Sequence, residues 1–470
     1  MKIAKKFKSN PLRWHWVVFG AVCLLAYLFF VHPDVIETSN HSYLLLDSIF
    51  KGRFLDFYNY VMEHPFQKNL YYINNAHYNI VIYAIFAIAE LPVFIFNAIF
   101  GTAINEPLLY YIGKLVSLGF FVTCIPLVRR IASQLGFSNT DSHWASFFFA
   151  TFPPAFFSAV VMGQYDTLCL FFLLLGFSHW LKGNYWAFTL WFGVGAACKF
   201  FPLLVFIPLL LLVEKRPLHL LKYGAASLWL VAPTTLLYMG RTGDMSLFND
   251  LMISRLFAAK IPAAVNISIF PLLLFVLFIA CYLYTPAKQL LAKTGLWACL
   301  ASFGLLFMFV NWHPQWFILI APFLVLTTFA EKERVPWFWL NIALSAGFFI
   351  LCATAYAYQL EANLLDFGLV GIITNLLTSS SPGYNSISFY YNLLPVILAL
   401  PMVLVGGVLT ANVLLKAPGK NGTLASRLAA GNAALTTSKY GWFAWGVFAG
   451  GTAIWLLPTL FTWLKCFNFL

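Results

Sequence analysis

Residues 144–181 read WASFFFATFPPAFFSAVVMGQYDTLCLFFLLLGFSHWL, a stretch dominated by apolar and aromatic side chains. The polar group Gln164-Tyr165-Asp166 divides it into two apolar runs, 144–163 and 165–181. An apolar run of about 17 to 25 residues is long enough to cross a bilayer as an α-helix. We therefore expect two membrane helices that meet at a polar turn near the membrane edge.

Similar apolar runs recur along the whole chain. Of its 470 residues, 61% are hydrophobic and only 9% are charged, whereas soluble domains are about a quarter charged. No polar stretch approaches the roughly 100 residues of a common soluble domain, so we expect no appended nucleotide-sugar-, ATP- or DNA-binding domain. The composition predicts an all-α polytopic membrane protein with about 12–14 spans. The predicted spans are 14–31, 79–100, 108–128, 144–163, 165–181, 186–200, 201–213, 219–239, 266–285, 294–311, 316–330, 336–357, 389–411 and 441–463.

The positive charges indicate which ends of these spans face the cytoplasm. The formal net charge is +12, and in a membrane protein a basic excess reports topology rather than binding to nucleic acid. Seven basic segments hold 19 of the 28 Lys and Arg residues but only four of the 16 acids, so we assign them to the cytoplasmic face of a cell membrane. The basic N-terminus lacks a small-residue cleavage site, which predicts a retained first helix. The segments are 2–13, 129–143, 182, 214–222, 288–293, 331–334 and 416–439.

The opposite, extracytoplasmic face is predicted to collect most of the polar motifs. It takes twelve of the 16 acids when Glu90 and Glu106 are counted with it. Its largest part is a first loop, 32–78, which carries amphipathic helices such as 43–52 that suit a membrane surface. Because the charge rule used only the basic segments, the gathering of the other polar motifs on one face is an independent result.

Two carboxylates follow the first predicted helix directly. Asp34 and Glu37 belong to the stretch HPDVIE at 32–37. At the bilayer edge either of them could serve as a general base. The alternative for each residue is a solvated loop acid or a helix cap, and the sequence leaves both interpretations open.

Two further polar groups interrupt the apolar middle of the chain. Asp166 could cap the helix that follows it, since Asp is a preferred N-cap residue, or it could bind a hydroxylated ligand or a metal. Capping does not explain why Gln164 and Tyr165 flank it. Lys199 stands in the apolar run GAACKFFP at 195–202. An intramembrane lysine is costly and indicates function, here binding to a lipid-linked phosphate, although snorkelling to the headgroups would also accommodate it.

The remaining candidates lie between residues 255 and 316. In NWHPQW at 311–316, the tryptophans are ordinary for a membrane interface, but His313 and Gln315 could hydrogen-bond a phosphate or a sugar hydroxyl. Arg255 and Lys260 are further candidates for phosphate binding, with contact to lipid headgroups as the alternative. No paired spacing of metal ligands is present.

Two predicted spans are irregular. Glu90 and Pro92 interrupt the run 79–100. Because proline breaks helices and a mid-membrane glutamate is costly, we expect this run not to cross completely. The run 186–213 must cross twice in 28 residues with Lys199 at its turn, so its helices are expected to be short or partly re-entrant.

Together these motifs resemble the GT-C superfamily of polytopic glycosyltransferases, which use polyprenyl-phosphate sugars. The resemblance covers most of residues 14–330 and is closest to bacterial mannosyltransferase-like members and to protein and GPI mannosyltransferases. It implies a catalytic transmembrane module at 1–330 and C-terminal helices at 331–470 that influence the choice of acceptor. It rests on four places: the acid-bearing first loop, GQYDTL at 163–168 followed by KGNYWA at 182–187, GVGAACKFFP at 193–202, and HPQW at 313–316.

The resemblance implies an inverting transfer of a hexose, mannose being favoured, to a lipid, glycan or protein acceptor. Either Asp34 or Glu37 would deprotonate the acceptor hydroxyl. The family includes metal-dependent and metal-independent members, so Mg²⁺ or Mn²⁺ stays open as a cofactor. The alternative function is a transporter or flippase that only binds a lipid-linked saccharide. The implied phosphate-binding residues are Lys199, His313, Arg255 and Lys260, and those that orient the sugar or acceptor, or brace the basic groups, are Gln164, Asp166, Tyr165 and Gln315.

Overall fold

The computed structural model describes residues 10–64, 76, 78–102, 104–239, 255–262, 266–331, 334–355, 367–369, 371–373 and 395–417. Within these ranges the regular structure is helical apart from one antiparallel pair of two-residue strands, β1 (Lys260–Ile261) and β2 (Ile267–Ser268). This confirms the all-α prediction. The predicted span 441–463 and most of the predicted loop 358–388 lie outside the described residues.

The helices follow the apolar runs of the sequence. Those before the strands are α1 (Arg13–Phe29), α2 (Pro33–Phe50), α3 (Phe57–Glu63), α4 (Ile80–Phe100), α5 (Glu106–Gln134), α6 (Asn139–Ala150), α7 (Pro153–Phe156), α8 (Asp166–Leu181), α9 (Tyr185–Cys198), α10 (Phe201–Val213), α11 (Pro217–Ser227) and α12 (Val231–Tyr238). Those after the strands are α13 (Ile269–Leu283), α14 (Lys288–Phe309), α15 (Ala321–Ala330), α16 (Val335–Ala355) and α17 (Pro395–Leu415). The last two pack against each other, and α17 also packs on α14.

Four of the described helices are long and apolar enough to cross a membrane, namely α4, α5, α14 and most of α16. Three pairs would each make one further span but are bent at a short break: α1 with α2, α6 with the segment Pro153–Val161, and α11 with α12. The described residues thus contain four to seven candidate spans. Six further apolar helices there are only 10–17 residues long, shorter than a straight crossing needs.

The expectation that Pro92 breaks the run 79–100 is wrong. α4 continues through Pro92 for 21 residues and is one of the candidate spans. A proline inside a membrane helix is tolerated where neighbouring helices pack around the freed backbone groups. Glu90 is fully buried where α4 packs on α2, so its carboxyl group does not face lipid. In contrast, the run 186–213 does form two short helices, α9 and α10, which break at Lys199.

α2 positions the candidate site. It turns 73° away from α1 at a short break, so it runs across the end of that helix. Most of its side chains are buried against α4 and α5, which differs from the surface-lying helix predicted for 43–52. Its buried Thr, Ser, Asn and His side chains make it far more polar than α1, which suits a position at the membrane edge.

Two chain segments connect the ends of the helical bundle and bring distant polar residues together. From Asp141 the chain passes through α6, α7 and a π-helix (Phe157–Val161) to Gln164. From Gln315 it passes through a 3₁₀-helix (Pro314–Leu319) and α15 to Glu331. The π-helix and the 3₁₀-helix pack against each other, and Ser158 Oγ lies 3.3 Å from the Pro314 carbonyl oxygen. Gln164 and Gln315 therefore lie at the same end of the bundle, opposite Asp141 and Glu331.

Candidate active site

The N-terminus of α2 carries the two predicted carboxylates. His32 caps this helix, because its Nδ1 accepts the backbone N–H of Asp34 at 3.2 Å. Pro33 follows as the first helical residue, where its missing N–H costs no hydrogen bond. Helical geometry then places Asp34 and Glu37 about one turn apart on one face. The cap fixes the start of the helix and hence the position of both carboxylates.

Two glutamine amides hold the carboxylate of Asp34. Gln164 Nε2 donates to Asp34 Oδ2 at 3.0 Å, and Gln315 Nε2 donates to the same oxygen at 3.3 Å. Gln164 Nε2 also lies 3.0 Å from His32 Nδ1. That nitrogen is therefore an acceptor, and the imidazole proton belongs on Nε2. The Asp34 side chain is 32% exposed, which leaves it accessible to a substrate although its position is fixed.

Glu37 has a different environment. It belongs to the predicted first loop, 32–78, and no described residue donates a hydrogen bond to its carboxylate. Burial, together with the nearby negative charge of Asp34, raises the pKa of Glu37 to about 8. At neutral pH this side chain is mainly protonated, whereas the carboxylate of Asp34 is held by hydrogen-bond donors. The two acids are thus distinguished by their surroundings.

A buried ion pair lies beside the glutamine amides. Lys199 Nζ donates to Asp166 Oδ1 at 2.8 Å and to Oδ2 at 3.0 Å, and Asp166 is fully buried. The ammonium group also lies 4.4 Å from the centre of the Tyr165 ring and 5.6 Å from that of Tyr78, within cation–π range. In this arrangement Asp166 braces Lys199, as one of its predicted roles requires.

The capping role considered for Asp166 is wrong. α8 begins at Asp166 itself, and its N-cap is Tyr165, whose side chain makes no capping hydrogen bond. The Asp166 carboxylate instead turns to Lys199, because a buried charge is strongly destabilising unless an opposite charge pairs with it. Its negative charge still lies in the first turn of α8, where the helix dipole favours it.

The turn that carries Gln164 requires glycine. Gly163 has a φ of +67°, in the left-handed region that glycine adopts without strain. A Cβ atom at this position would also lie 2.7 Å from Cγ of Lys114, closer than carbon atoms can approach. The preceding π-helix is a distortion that is frequent at functional sites. Together these features let the turn pack directly onto α5.

A guanidinium group and an imidazole ring meet on another side of the site. Arg255 Nη1 contacts His313 Nε2, and His313 stands two residues before Gln315, which binds Asp34. The His313 ring also packs near Trp316, with ring centres 5.4 Å apart. Among the described residues no carboxylate forms an ion pair with Arg255, so the pair is suited to binding an anion.

Lys260 does not join this cluster. It lies on the exposed strand β1, and its side chain makes no hydrogen bond or ion pair with any residue that the structure describes. The structure thus brings nine of the ten candidate residues to one end of the bundle, and Lys260 contacts none of them among the described residues. Their chemical roles stay predictions.

The described residues do not fit a metal site. They include no group of three or more His, Cys, Asp or Glu side chains that could hold a metal ion. Asp34 Oδ2 already accepts two amide N–H groups, and His32 Nδ1 accepts a backbone and a side-chain donor. Mg²⁺ and Mn²⁺ need several oxygen ligands, so we derive no step through a metal.

Three residues at or near the site were not predicted from the sequence: His32, Tyr78 and Lys114. Nothing in the sequence marks His32 as the acceptor for a distant amide. Tyr78 contacts Tyr165, with ring centres 4.9 Å apart, and lies within electrostatic range of Asp34. Lys114 had a usable signal, because it stands inside an apolar run as Lys199 does.

Comparison with known proteins does not assign a function, so the functional argument depends on the geometry of the site. No protein-family model matches the chain, and no curated protein sequence matches it. Among solved structures, the crystal structure of ArnT from Cupriavidus metallidurans in the apo state aligns with 85% of this chain and 78% of its own, at 13% sequence identity and a TM-score of 0.39. At that likeness no residue of one chain is equated with a residue of the other.

Proposed function

We propose that this protein is a GT-C-type membrane glycosyltransferase that uses a polyprenyl-phosphate sugar and transfers the sugar with inversion. The observation that carries the proposal is the setting of Asp34. Its carboxylate is fixed by two amide donors, remains partly exposed, and lies at the same end of the bundle as the cationic side chains of Lys199 and Arg255. The imidazole of His313, which accepts from Arg255, lies with them. Transfer from a phosphate leaving group needs a base and cations at one site.

Asp34 is the general base in this proposal. It accepts the proton of the acceptor hydroxyl, whose oxygen forms a bond to the anomeric carbon of the donor. The bond from that carbon to the phosphate oxygen breaks, and its electron pair leaves on the polyprenyl phosphate. Attack opposite the leaving group inverts the anomeric centre. Glu37 is assigned a supporting role, because a carboxyl group with a pKa of about 8 is mainly protonated at neutral pH.

The other polar groups bind the donor and orient the acceptor. Arg255 with His313, and Lys199 braced by Asp166, stabilise the negative charge that grows on the phosphate. Gln164 and Gln315 are assigned to orienting the acceptor through the Asp34 carboxylate, to which both amides donate.

The finer assignments rest on the sequence. The distribution of basic segments supports a site on the extracytoplasmic face of the cell membrane, with the N-terminus in the cytoplasm. The resemblance to mannosyltransferases favours mannose as the sugar, and a lipid, glycan or protein as the acceptor. The parts of residues 331–470 at the site end of the bundle are assigned an influence on acceptor choice on the same basis. Arg334 and Lys416, at the opposite end, are not included.

A transfer assay with matched variants tests the proposal. Purified protein in nanodiscs receives radiolabelled polyprenyl-phosphate mannose, then the glucose, galactose and arabinose forms, with a lipid and glycan extract of the host as acceptor. We expect labelled product from the wild type and a loss of about 100- to 10,000-fold for Asp34→Asn, the usual contribution of a general base.

Glu63→Gln is the matched control. Glu63 is an exposed acid on α3 that pairs with Arg53 at 2.6 Å, so its variant should transfer as the wild type does. Equal activity of Asp34→Asn and Glu63→Gln would remove Asp34 from catalysis. Tight binding of the lipid-linked saccharide without product from any donor would instead indicate a transporter or flippase.

A further inference from the structure

Lys114 is a fully buried lysine in the middle of α5 whose positive charge is met by backbone carbonyl groups. Its Nζ donates to the carbonyl oxygens of Ala26 at 2.8 Å and Tyr27 at 3.1 Å, and also to that of Phe30. These three acceptors match the three protons of an ammonium group. They belong to the C-terminal end of α1, where the helix dipole favours a cation.

The same contacts place Lys114 next to the turn between α1 and α2. Phe30 is two residues before His32 and four before Asp34. A second pair of hydrogen bonds strengthens this seam, because Tyr27 Oη donates to the Tyr111 carbonyl and Tyr111 Oη donates to the Leu28 carbonyl, each at 2.8 Å. α5 therefore holds the chain at the point where it turns to present the proposed base.

The aliphatic part of Lys114 contacts a second segment of the site. An added Cβ at Gly163 would lie 2.7 Å from Cγ, 3.3 Å from Cδ and 3.2 Å from Cε of Lys114. The backbone of the Gly163 turn thus rests on the lysine stem, and the next residue, Gln164, is the one that donates to Asp34. One side chain therefore contacts both chain segments that lead to the Gln164–Asp34 hydrogen bond.

We propose that Lys114 is a positioning residue that sets the distance between the corner before Asp34 and the turn that carries Gln164. It acts through the Gln164–Asp34 hydrogen bond and does not touch the substrate. An apolar side chain would fill the same space without burying a charge, but it could not hold three carbonyl groups on one side and a glycine turn on the other. The kinetic part of this inference rests on the proposed function.

The experiment compares Lys114→Met with Lys416→Met. Lys416 is likewise fully buried, but it lies at the other end of the bundle and donates to Thr327 Oγ1 at 3.0 Å and Thr328 Oγ1 at 3.2 Å. Both changes remove one buried ammonium, so both should lower the melting temperature. Only Lys114→Met should also lower kcat for sugar transfer, by roughly 100-fold, the cost of a displacement of about 1 Å at a catalytic group, with the KM for the donor little changed.

Hydrogen–deuterium exchange provides a readout that does not depend on activity. In Lys114→Met we expect faster exchange both in residues 26–37 and in residues 158–167, whereas Lys416→Met leaves both segments as in the wild type. Lys114→Arg, which keeps the donors but has a bulkier head, should recover part of the protection. If the wild type transfers no sugar, the proposed function fails and the exchange data alone decide the inference.

Gly163→Ala tests the same link from the other side, and also serves if Lys114→Met does not fold. Its methyl group pushes on the lysine stem, so exchange should increase in residues 26–37 as well as in the turn. Faster exchange confined to the turn would overturn the inference, as would an unchanged kcat in Lys114→Met alongside an active wild type.

Discussion

The two ends of the bundle each bury an ion pair, but they differ in the polar groups that surround it. At the site end Lys199 holds both carboxylate oxygens of Asp166. At the opposite end Arg334 holds both oxygens of Asp141, at 2.8 and 3.2 Å. The four side chains are all nearly closed to solvent, with at most 11% of any one exposed. The pairs alone do not distinguish a functional end from a structural one.

The distinction comes from the groups around each pair. Around Arg334 and Asp141 lie the ion pair of Lys293 with Glu331 at 3.2 Å and the ammonium group of Lys416, from which two threonine hydroxyls accept hydrogen bonds. Around Lys199 and Asp166 there are two further acids on α2, one fixed by amides and one with a raised pKa. A buried ion pair is weak evidence for function, whereas an accessible, oriented carboxylate beside it is stronger evidence.

Breaking each pair in turn should give the largest contrast. Lys199→Met and Arg334→Met each leave a buried carboxylate without its partner, so each should lower the free energy of unfolding by about 3–5 kcal/mol. Only Lys199→Met should also reduce kcat/KM for sugar transfer, by roughly 100-fold, since it removes a group that stabilises the leaving phosphate. Thermal unfolding in nanodiscs and the transfer assay at a temperature where both variants are folded make the comparison.

Removing both partners separates stability from function. Lys199→Met with Asp166→Leu, and Arg334→Met with Asp141→Leu, should each recover most of the lost stability, because the orphaned charge is gone. Only the double variant at the opposite end should transfer sugar at the wild-type rate. A fully active Lys199→Met/Asp166→Leu variant would mean that the two ends do not differ in function.

The pH dependence of sugar transfer should distinguish the roles of the two acids, Asp34 and Glu37. With a pKa of about 8, Glu37 ionises as the pH rises through that value and adds a negative charge beside Asp34 and the leaving phosphate. We expect the wild-type rate to fall above pH 8, by up to about tenfold per pH unit. Glu37→Gln, which cannot ionise, should keep a pH-independent rate there. Identical rate profiles from pH 6 to 10 would exclude this role.

The folding stability of the protein should also depend on the ionisation of Glu37, and it should fall as the pH rises. Between the ordinary glutamate pKa of 4.5 and about 8, Glu37 binds a proton in the folded protein but not in the unfolded chain. Its contribution is therefore fully present below pH 4.5 and is lost as the pH rises towards 8. The melting temperature of the wild type should fall relative to that of Glu37→Gln over this interval, and a rise would contradict the assignment.

The fold could be predicted where the sequence controls it locally. Apolar length and loop charge predicted the helical class and most helix positions, because membrane helices satisfy their own backbone hydrogen bonds. Pro92 was misread since its tolerance depends on the helices around α4, which no local pattern reports. The short helices α9 and α10 were predicted, because the run 186–213 is too short for two full crossings with Lys199 at its turn.

The candidate site was less accessible to sequence reasoning. Residue types at the membrane edge indicated which side chains to consider, but their pairing depends on contacts across 130 and 281 positions, between Asp34 and the two glutamines. Only that pairing distinguishes Asp34 from Glu37. The capping role of Asp166 was a reasonable prediction from local sequence, but its carboxylate pairs with Lys199, which is distant in the sequence.

The smallest expected effect separates two cations that the sequence treated alike. Arg255 contacts His313, whereas Lys260 lies on an exposed strand and contacts no other candidate among the described residues. Arg255→Ala should raise the KM for the donor by about tenfold or more, because a hydrogen bond between charged groups contributes about 1.5–3 kcal/mol. Lys260→Ala should change it by less than about fivefold, since exposed charges contribute at most about 1 kcal/mol. If the two variants had equal effects, phosphate recognition would depend on the overall positive charge of this region and not on the contact between Arg255 and His313.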